Sequence, residues 1–316
     1  MSPFPTNSFR LFSRTFLSGL LLCVLLTGCA GTSSEKPDTS SMHGTRDHTP
    51  KVLTPSADAV SVLGTEDVSI DVSHTEDGYF CASYRGASEK VKLQVVTKDQ
   101  ITYTYDLPSD GSLQVFPFSD GSGDYHIGVY TNVKDTLYAT EFQTICQVTL
   151  ENEYLPFLYP NQYVWFTKDT KAIALAEEVV TPADTDLDAV ALVYDYVTSH
   201  VTYDWDKAKT VESDYLPDVD ETLRSGKGIC FDYAALMAAM LRSQKIPTRL
   251  EIGYAGTTYH AWISTYITDV GWVNGIIRFD GTDWSLMDPT LASSESSKKL
   301  RKFISDGQQY RTCYLY

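Results

Sequence analysis

The stretch Gly226-Lys227-Gly228-Ile229-Cys230-Phe231-Asp232-Tyr233-Ala234-Ala235 decides how the chain is read. Two glycines free the backbone, a cysteine follows, and good helix formers run from Ala234 to Arg242. The pattern predicts a helix from Cys230 to about Ser243, ended by Ile246-Pro247. Its residues are apolar nearly all round, so it is expected to be central and buried. Ala234, Ala235, Ala238 and Ala239 would let it lie close to a sheet. A cysteine in a first helical turn meets unpaired N–H groups and the positive end of the helix dipole. Both favour thiolate, and with an imidazolium nearby such thiols titrate at roughly 3.5–7.5.

Outward from this helix, the segments Arg249–Tyr254, Tyr259–Ile267, Trp272–Phe279 and Trp284–Met287 read as successive strands, with Asp280-Gly281 turning between the last two. Upstream, Lys171–Val180 and Asp186–His200 have helical periodicity, and Val190, Val193, Tyr194 and Val197 share one face. Helices packed on an antiparallel sheet make an α+β arrangement. His260 stands in Tyr259-His260-Ala261-Trp262, 30 residues after Cys230. Asp288 stands in Trp284-Ser285-Leu286-Met287-Asp288-Pro289-Thr290, 28 residues later. Cys230, His260 and Asp288 in this order fit a nucleophile, its base and the group that orients the base. Asp232 reads as a helix-start acid. A carboxylate so near Cys230 would oppose a thiolate unless directed away. Trp262 and Trp284 read as sheet core or cleft wall.

Gly228-Ile229-Cys230-Phe231-Asp232-Tyr233-Ala234, His260-Ala261-Trp262 and Trp284-Leu286-Asp288-Pro289-Thr290 resemble the transglutaminase-like superfamily, with its papain-like Cys-His-Asp layout. The resemblance covers roughly Asp186 to Leu291. It implies that Cys opens the core helix while His and Asp lie on neighbouring strands. It also implies acyl transfer. Cys230 would attack a carboxamide to form a thioester, resolved by water or an amine, with no metal or organic cofactor. The backbone N–H of Cys230 is one natural oxyanion donor; Tyr203 and Trp205 are candidates for the other. Hydrolysis and crosslinking use the same triad. The superfamily also includes domains without demonstrated activity, so a surface module binding peptide or cell-wall glycan is the competing reading.

The rest of the chain reads as delivery. Arg10 and Arg14 precede the short apolar run Phe16–Leu26, a signal-peptide pattern over residues 1–28. Leu26-Thr27-Gly28-Cys29 resembles a bacterial lipobox, which would place a lipid anchor on Cys29 at the outer face of a membrane. Residues 29–60, rich in Ser, Thr, Gly, Pro and charge, read as a disordered tether. Short alternating strands over 61–167 predict a β-sandwich accessory domain, a spacer by default and a carbohydrate- or wall-binding unit in the sharper reading. Residues 168–316 would be the catalytic domain. The net charge is −16, and removing Arg10 and Arg14 with the signal takes it to −18. Such a surface repels phosphate backbones and argues against nucleic acid. A protein or a cell-wall peptide is the expected substrate. Cys81, Cys146 and Cys313 are left beside Cys230, so pairing of Cys81 with Cys146 and small buried thiols are both open. No zinc-ligand spacing occurs.

Overall fold

Alternation of apolar and polar residues builds the N-terminal half of the computed structural model, which describes residues 44–255, 257–279, 284–286 and 310–316. The strands are β1 (Val62–Gly64), β2 (Val68–Asp71), β3 (Tyr79–Tyr84), β4 (Val91–Val96), β5 (Thr102–Asp106), β6 (Gln114–Pro117), β7 (Gly123–Lys134) and β8 (Leu137–Val148). They form two antiparallel four-stranded sheets, ordered β1-β2-β3-β6 and β5-β4-β7-β8. In β4 the residues Val91, Leu93 and Val95 are buried, while Lys92, Gln94 and Val96 between them are not. This is the period of two that one buried face demands. Phe80, Phe116, Phe118 and Tyr125 stack between the sheets.

The tether expected over 29–60 does not extend to residue 60. Residues 44–60 lie against the folded unit. The Gly44 N–H donates to the Thr181 carbonyl and the Lys51 N–H to that of Ser243. Arg46 pairs with Asp186 at 2.7 Å and donates to the carbonyl of Gln244. Composition hides this, because backbone and guanidinium bonds, with little apolar burial, hold the segment. Residues 29–43, with Cys29, and the signal segment lie outside the described residues. Cys81 and Cys146 are separate buried thiols. Cys81 packs with Tyr79, Val115 and Tyr159, whereas Cys146 belongs to the main core.

Helices α1 (Lys171–Val179), α2 (Asp186–His200), α3 (Trp205–Thr210), α4 (Val219–Ser225) and α5 (Cys230–Ser243) follow. Thr185 and Asp188 form a capping box on α2. Asp218 caps α4, and Asp220 in its first turn accepts from the N–H groups of Lys171 and Ala172 at the start of α1. Every residue of α5 from Asp232 to Ser243 is buried. Arg242, 1% exposed, donates to the carbonyls of Tyr159, Thr248 and Tyr316. A buried guanidinium needs such acceptors.

The short strands β9 (Thr202–Tyr203) and β10 (Lys227–Gly228) pair in parallel and bring Tyr203 level with Gly228. The third sheet contains β11 (Thr248–Ala255), β12 (Thr258–Ile267), β13 (Gly271–Phe279), β14 (Trp284–Leu286) and β15 (Tyr310–Leu315), in the order β14-β13-β12-β11-β15. The architecture is therefore mixed: helices on an antiparallel sheet, with strands preceding them. Strand β15 was not expected. It returns to the edge of β11 and carries Tyr314 and Tyr316 into the core.

Candidate active site

The two glycines before Cys230 have different tasks. Gly226 ends α4 at φ +61°, the left-handed conformation that favours glycine. At Gly228 the limit is space, since a Cβ there would stand 2.7 Å from the Cβ of Asp232. Asp232 turns back toward this bend, and its carboxylate accepts the Ile229 N–H at 2.7 Å. It also accepts from Lys207 Nζ at 2.7 Å and from the Tyr215 hydroxyl. Asp232 is fully buried. Thus one carboxylate ties the start of α5 to α3 and to the loop that follows it. It is a helix-start acid, as its position suggests, and also the anchor of a cleft wall.

Cys230 opens α5 and is half-buried. The N–H groups of Ala261 and Phe231 and the Tyr203 hydroxyl are the hydrogen-bonding groups beside its sulfur, and each pulls the thiol toward ionisation. His260 is 7% exposed and precedes Ala261 on β12. Cys230, His260 and Tyr203 line one cleft of about 530 Å³. Its walls are aromatic, with Tyr163, Tyr215, Phe231 and Tyr259 among them. Burial pushes the Cys230 thiol above its ordinary range and the Asp232 charge adds to the rise, while the three groups beside the sulfur pull it down. Burial prevails, so the resting group is a thiol. This direction runs against the lowering expected from the helix start, because desolvation outweighs the donors around the sulfur. Burial and then the neighbouring Cys230 raise the Tyr203 hydroxyl too, which keeps it a proton donor.

Of the two oxyanion candidates, Tyr203 reaches the sulfur. Trp205 is 52% exposed, packs on the Tyr203 ring at 4.5 Å and does not line the cleft. Asp288 lies outside the described residues. The strand leading toward it, β14, is not adjacent to the His260 strand, because β13 intervenes. Leu286 pairs with Ile277, and Ile277 pairs with Ile263. The strand read over Trp272–Phe279 is the one that lies between those of His260 and Trp284.

Trp262 is 2% exposed and donates to Glu251 at 3.1 Å. Glu251 also accepts from Ser264 and, at 2.6 Å, from Thr312. This buried carboxylate braces β12 against β11 and β15 next to His260. Sequence reasoning missed it, along with Lys207, Tyr215 and the β15 tyrosines. For β15 a signal exists in Tyr310-Arg311-Thr312-Cys313-Tyr314-Leu315-Tyr316, rich in strand formers. No group of three or more His, Cys, Asp or Glu arranged to hold a metal ion occurs among the described residues.

Comparison with known proteins fits this geometry. Residues 173–275 match the model of the Transglutaminase-like superfamily. This segment is a transglutaminase-like core. UPF0252 protein MJ1282 of Methanocaldococcus jannaschii is 32% identical over 90 residues, covering 25% of this chain and 26% of that protein. The chain thus matches about a quarter of that curated relative's length. A solved protein from Cytophaga hutchinsonii, named provisionally as a cysteine protease, is 16% identical, with a TM-score of 0.35 over 66% of this chain and 88% of the other. Red sea bream transglutaminase is 12% identical, with a TM-score of 0.28 over 68% of this chain and 48% of the other. At these scores the likenesses carry no argument about activity.

Proposed function

We propose that the transglutaminase-like core performs thiol-dependent acyl transfer on protein or cell-wall peptide amides, with Cys230 as nucleophile and His260 as base. The observation that carries this reading is the shared cleft. A cysteine at a helix start has the Ala261 N–H and the Tyr203 hydroxyl beside its sulfur, and the histidine before Ala261 faces the same space. On arrival of a carboxamide, His260 takes the thiol proton as sulfur bonds to the carbonyl carbon. The carbonyl oxygen becomes an oxyanion, with the Cys230 N–H and the Tyr203 hydroxyl as its donors. The C–N bond then breaks, the amine leaves with the proton from His260, and a thioester remains. Water or a second amine resolves it. Asp288 is proposed as the group that orients His260, and lipid on Cys29 as the device that holds the enzyme at the outer face of a membrane.

Incubation with dansylcadaverine and a glutamine-containing protein scores transfer, and internally quenched peptides score cleavage. Cys230→Ala is expected to abolish either signal with an unchanged melting curve; turnover retained in that variant would refute the assignment. The raised thiol pKa favours one competitor, a non-catalytic module that binds peptide or glycan. Under that reading the wild-type protein is silent in both assays and still binds.

A further inference from the structure

A second hollow, of about 460 Å³, lies on the outward face of the β5-β4-β7-β8 sheet, built by residues unrelated to the chemistry of Cys230. Strand register explains how it forms. Thr104, Gln94, Gly128 and Gln143 stand side by side in one row across the four strands. The next row outward-facing positions on β4, β7 and β8 are Val96, His126 and Ile145. Gly128 is the only member of its row without a side chain, and the Tyr130 ring lies across the gap. A Cβ on Gly128 would come within 2.7 Å of the Tyr130 ring and hydroxyl. Gln143 Nε2 holds that hydroxyl at 3.0 Å. Across the row, Gln94 Nε2 donates to Thr104 at 3.3 Å.

The chemistry of this lining is selective. Among the described residues no Asp, Glu, Lys or Arg borders the hollow, on a chain of net charge −16. Lys92, opposite Tyr130 on β4, pairs with Asp106 at 2.5 Å. Apart from His126, a phosphate, a lipid headgroup or a basic peptide therefore finds no counter-charge here. The lining offers amides, each with a carbonyl oxygen and a second N–H beyond the bonds named, an aromatic ring laid along the sheet, and the side chains of Val96 and Ile145. Ile145 is 60% exposed. Planar amides match paired hydroxyls, and a ring with small apolar neighbours matches the C–H face of a pyranose. The hollow is open and polar, unlike the enclosed apolar pockets that take drug-like ligands.

We propose that this hollow binds a neutral oligosaccharide, with Tyr130 as platform and Gln94 and Gln143 as its hydrogen-bonding arms. Thr104, the partner of Gln94, also lines the cleft that holds Cys230. A sugar chain seated on this row would therefore run toward the cleft from the β5 side. The binding itself does not depend on the acyl-transfer reading.

The test uses the whole folded chain and isothermal titration with cellohexaose, chitohexaose, xylohexaose and mannohexaose, with a neutral hexapeptide and inorganic phosphate as controls. At least one hexasaccharide is expected to bind, and the two controls are not. Tyr130→Ala and Gln143→Ala should each weaken binding about tenfold or more, near 1.4 kcal/mol. Both positions are on the outward face, Gln143 exposed and Tyr130 half-buried. Gly128→Ala, which forces the Tyr130 ring aside, should do the same, while Cys230→Ala should leave affinity unchanged. Failure of every hexasaccharide to bind at millimolar concentration would overturn the proposal. So would binding that survives Tyr130→Ala and Gln143→Ala, or a preference for the peptide or phosphate.

Discussion

Asp232→Asn removes one charge and almost no volume at the root of the cleft. The carboxylate is fully buried and accepts three hydrogen bonds, from Ile229 N–H, Lys207 and Tyr215. Breaking a buried ion pair by removing one partner costs about 3–5 kcal/mol. Lys207 keeps 29% of its side chain exposed and can rehydrate, so part of that cost is relieved. The asparagine can still present its carbonyl oxygen to Ile229 N–H, but its NH2 group then meets the Tyr215 hydroxyl, which Lys207 already approaches at 2.6 Å. A loss of ~2–3 kcal/mol is expected, equivalent to ~4–12 °C in Tm for a unit of this size. Urea unfolding at unchanged m measures it. The same variant carries a second, independent sign. The Asp232 charge raises the Cys230 thiol, so its removal should move Cys230 alkylation by iodoacetamide to lower pH. A stability loss below ~1 kcal/mol, the range of exposed pairs, would show that the buried carboxylate does not anchor the wall. An alkylation curve moved to higher pH would show that Cys230 does not sense it.

Further outcomes follow from the same contacts. In the wild-type protein Cys230 should alkylate at higher pH than a free cysteine of about 8.5, because burial raises it; Tyr203→Phe, which removes a donor from the sulfur, should shift the curve higher still and lower turnover by about 10²–10³. Full labelling at pH 6, read by mass spectrometry, would contradict both. Gly228→Ala sets a Cβ 2.7 Å from that of Asp232 and should cost about 1–3 kcal/mol by chemical denaturation. Trp262→Phe removes one of three donors from buried Glu251 and should cost about 1.5–3 kcal/mol, visible as a lower urea midpoint.

Much of this site was legible in the sequence because it is local. The helix from Cys230 to Ser243 is announced by glycines on one side, Pro247 on the other and apolar residues on every face. The strands of His260 and Trp284 follow from alternation and aromatic content. What was not legible joins residues far apart in the chain. Lys207 and Tyr215 meet Asp232 across 25 and 17 residues. Arg46 meets Asp186 across 140, and Thr312 meets Glu251 across 61. Each bond involves a charged or polar group whose partner no periodicity reveals. Strand β13 was read from alternation as Trp272–Phe279, but the order of the strands in the sheet, with β15 at the far edge, cannot be read that way.

The Cys230 thiol shows the same division between local and distant causes. The helix start, visible in the sequence, pulls the thiol toward ionisation. The cleft walls desolvate it, and those walls come from β9, the α3–α4 loop, β12 and the chain's last residues. The walls prevail, which changes the order of events expected at the site. A preformed thiolate would react with any small electrophile that reached it. Under the proposed function, a protonated thiol beside Tyr203 and the Ala261 N–H needs its proton removed as the acyl group arrives, so His260 would act during attack rather than before it. Reactivity then depends on what fills the cleft. An amide peptide that binds beside Cys230 without covering it and draws Tyr203 toward its carbonyl oxygen would remove a donor from the sulfur, so alkylation should move to higher pH as in Tyr203→Phe, whereas simple steric protection would slow it at every pH.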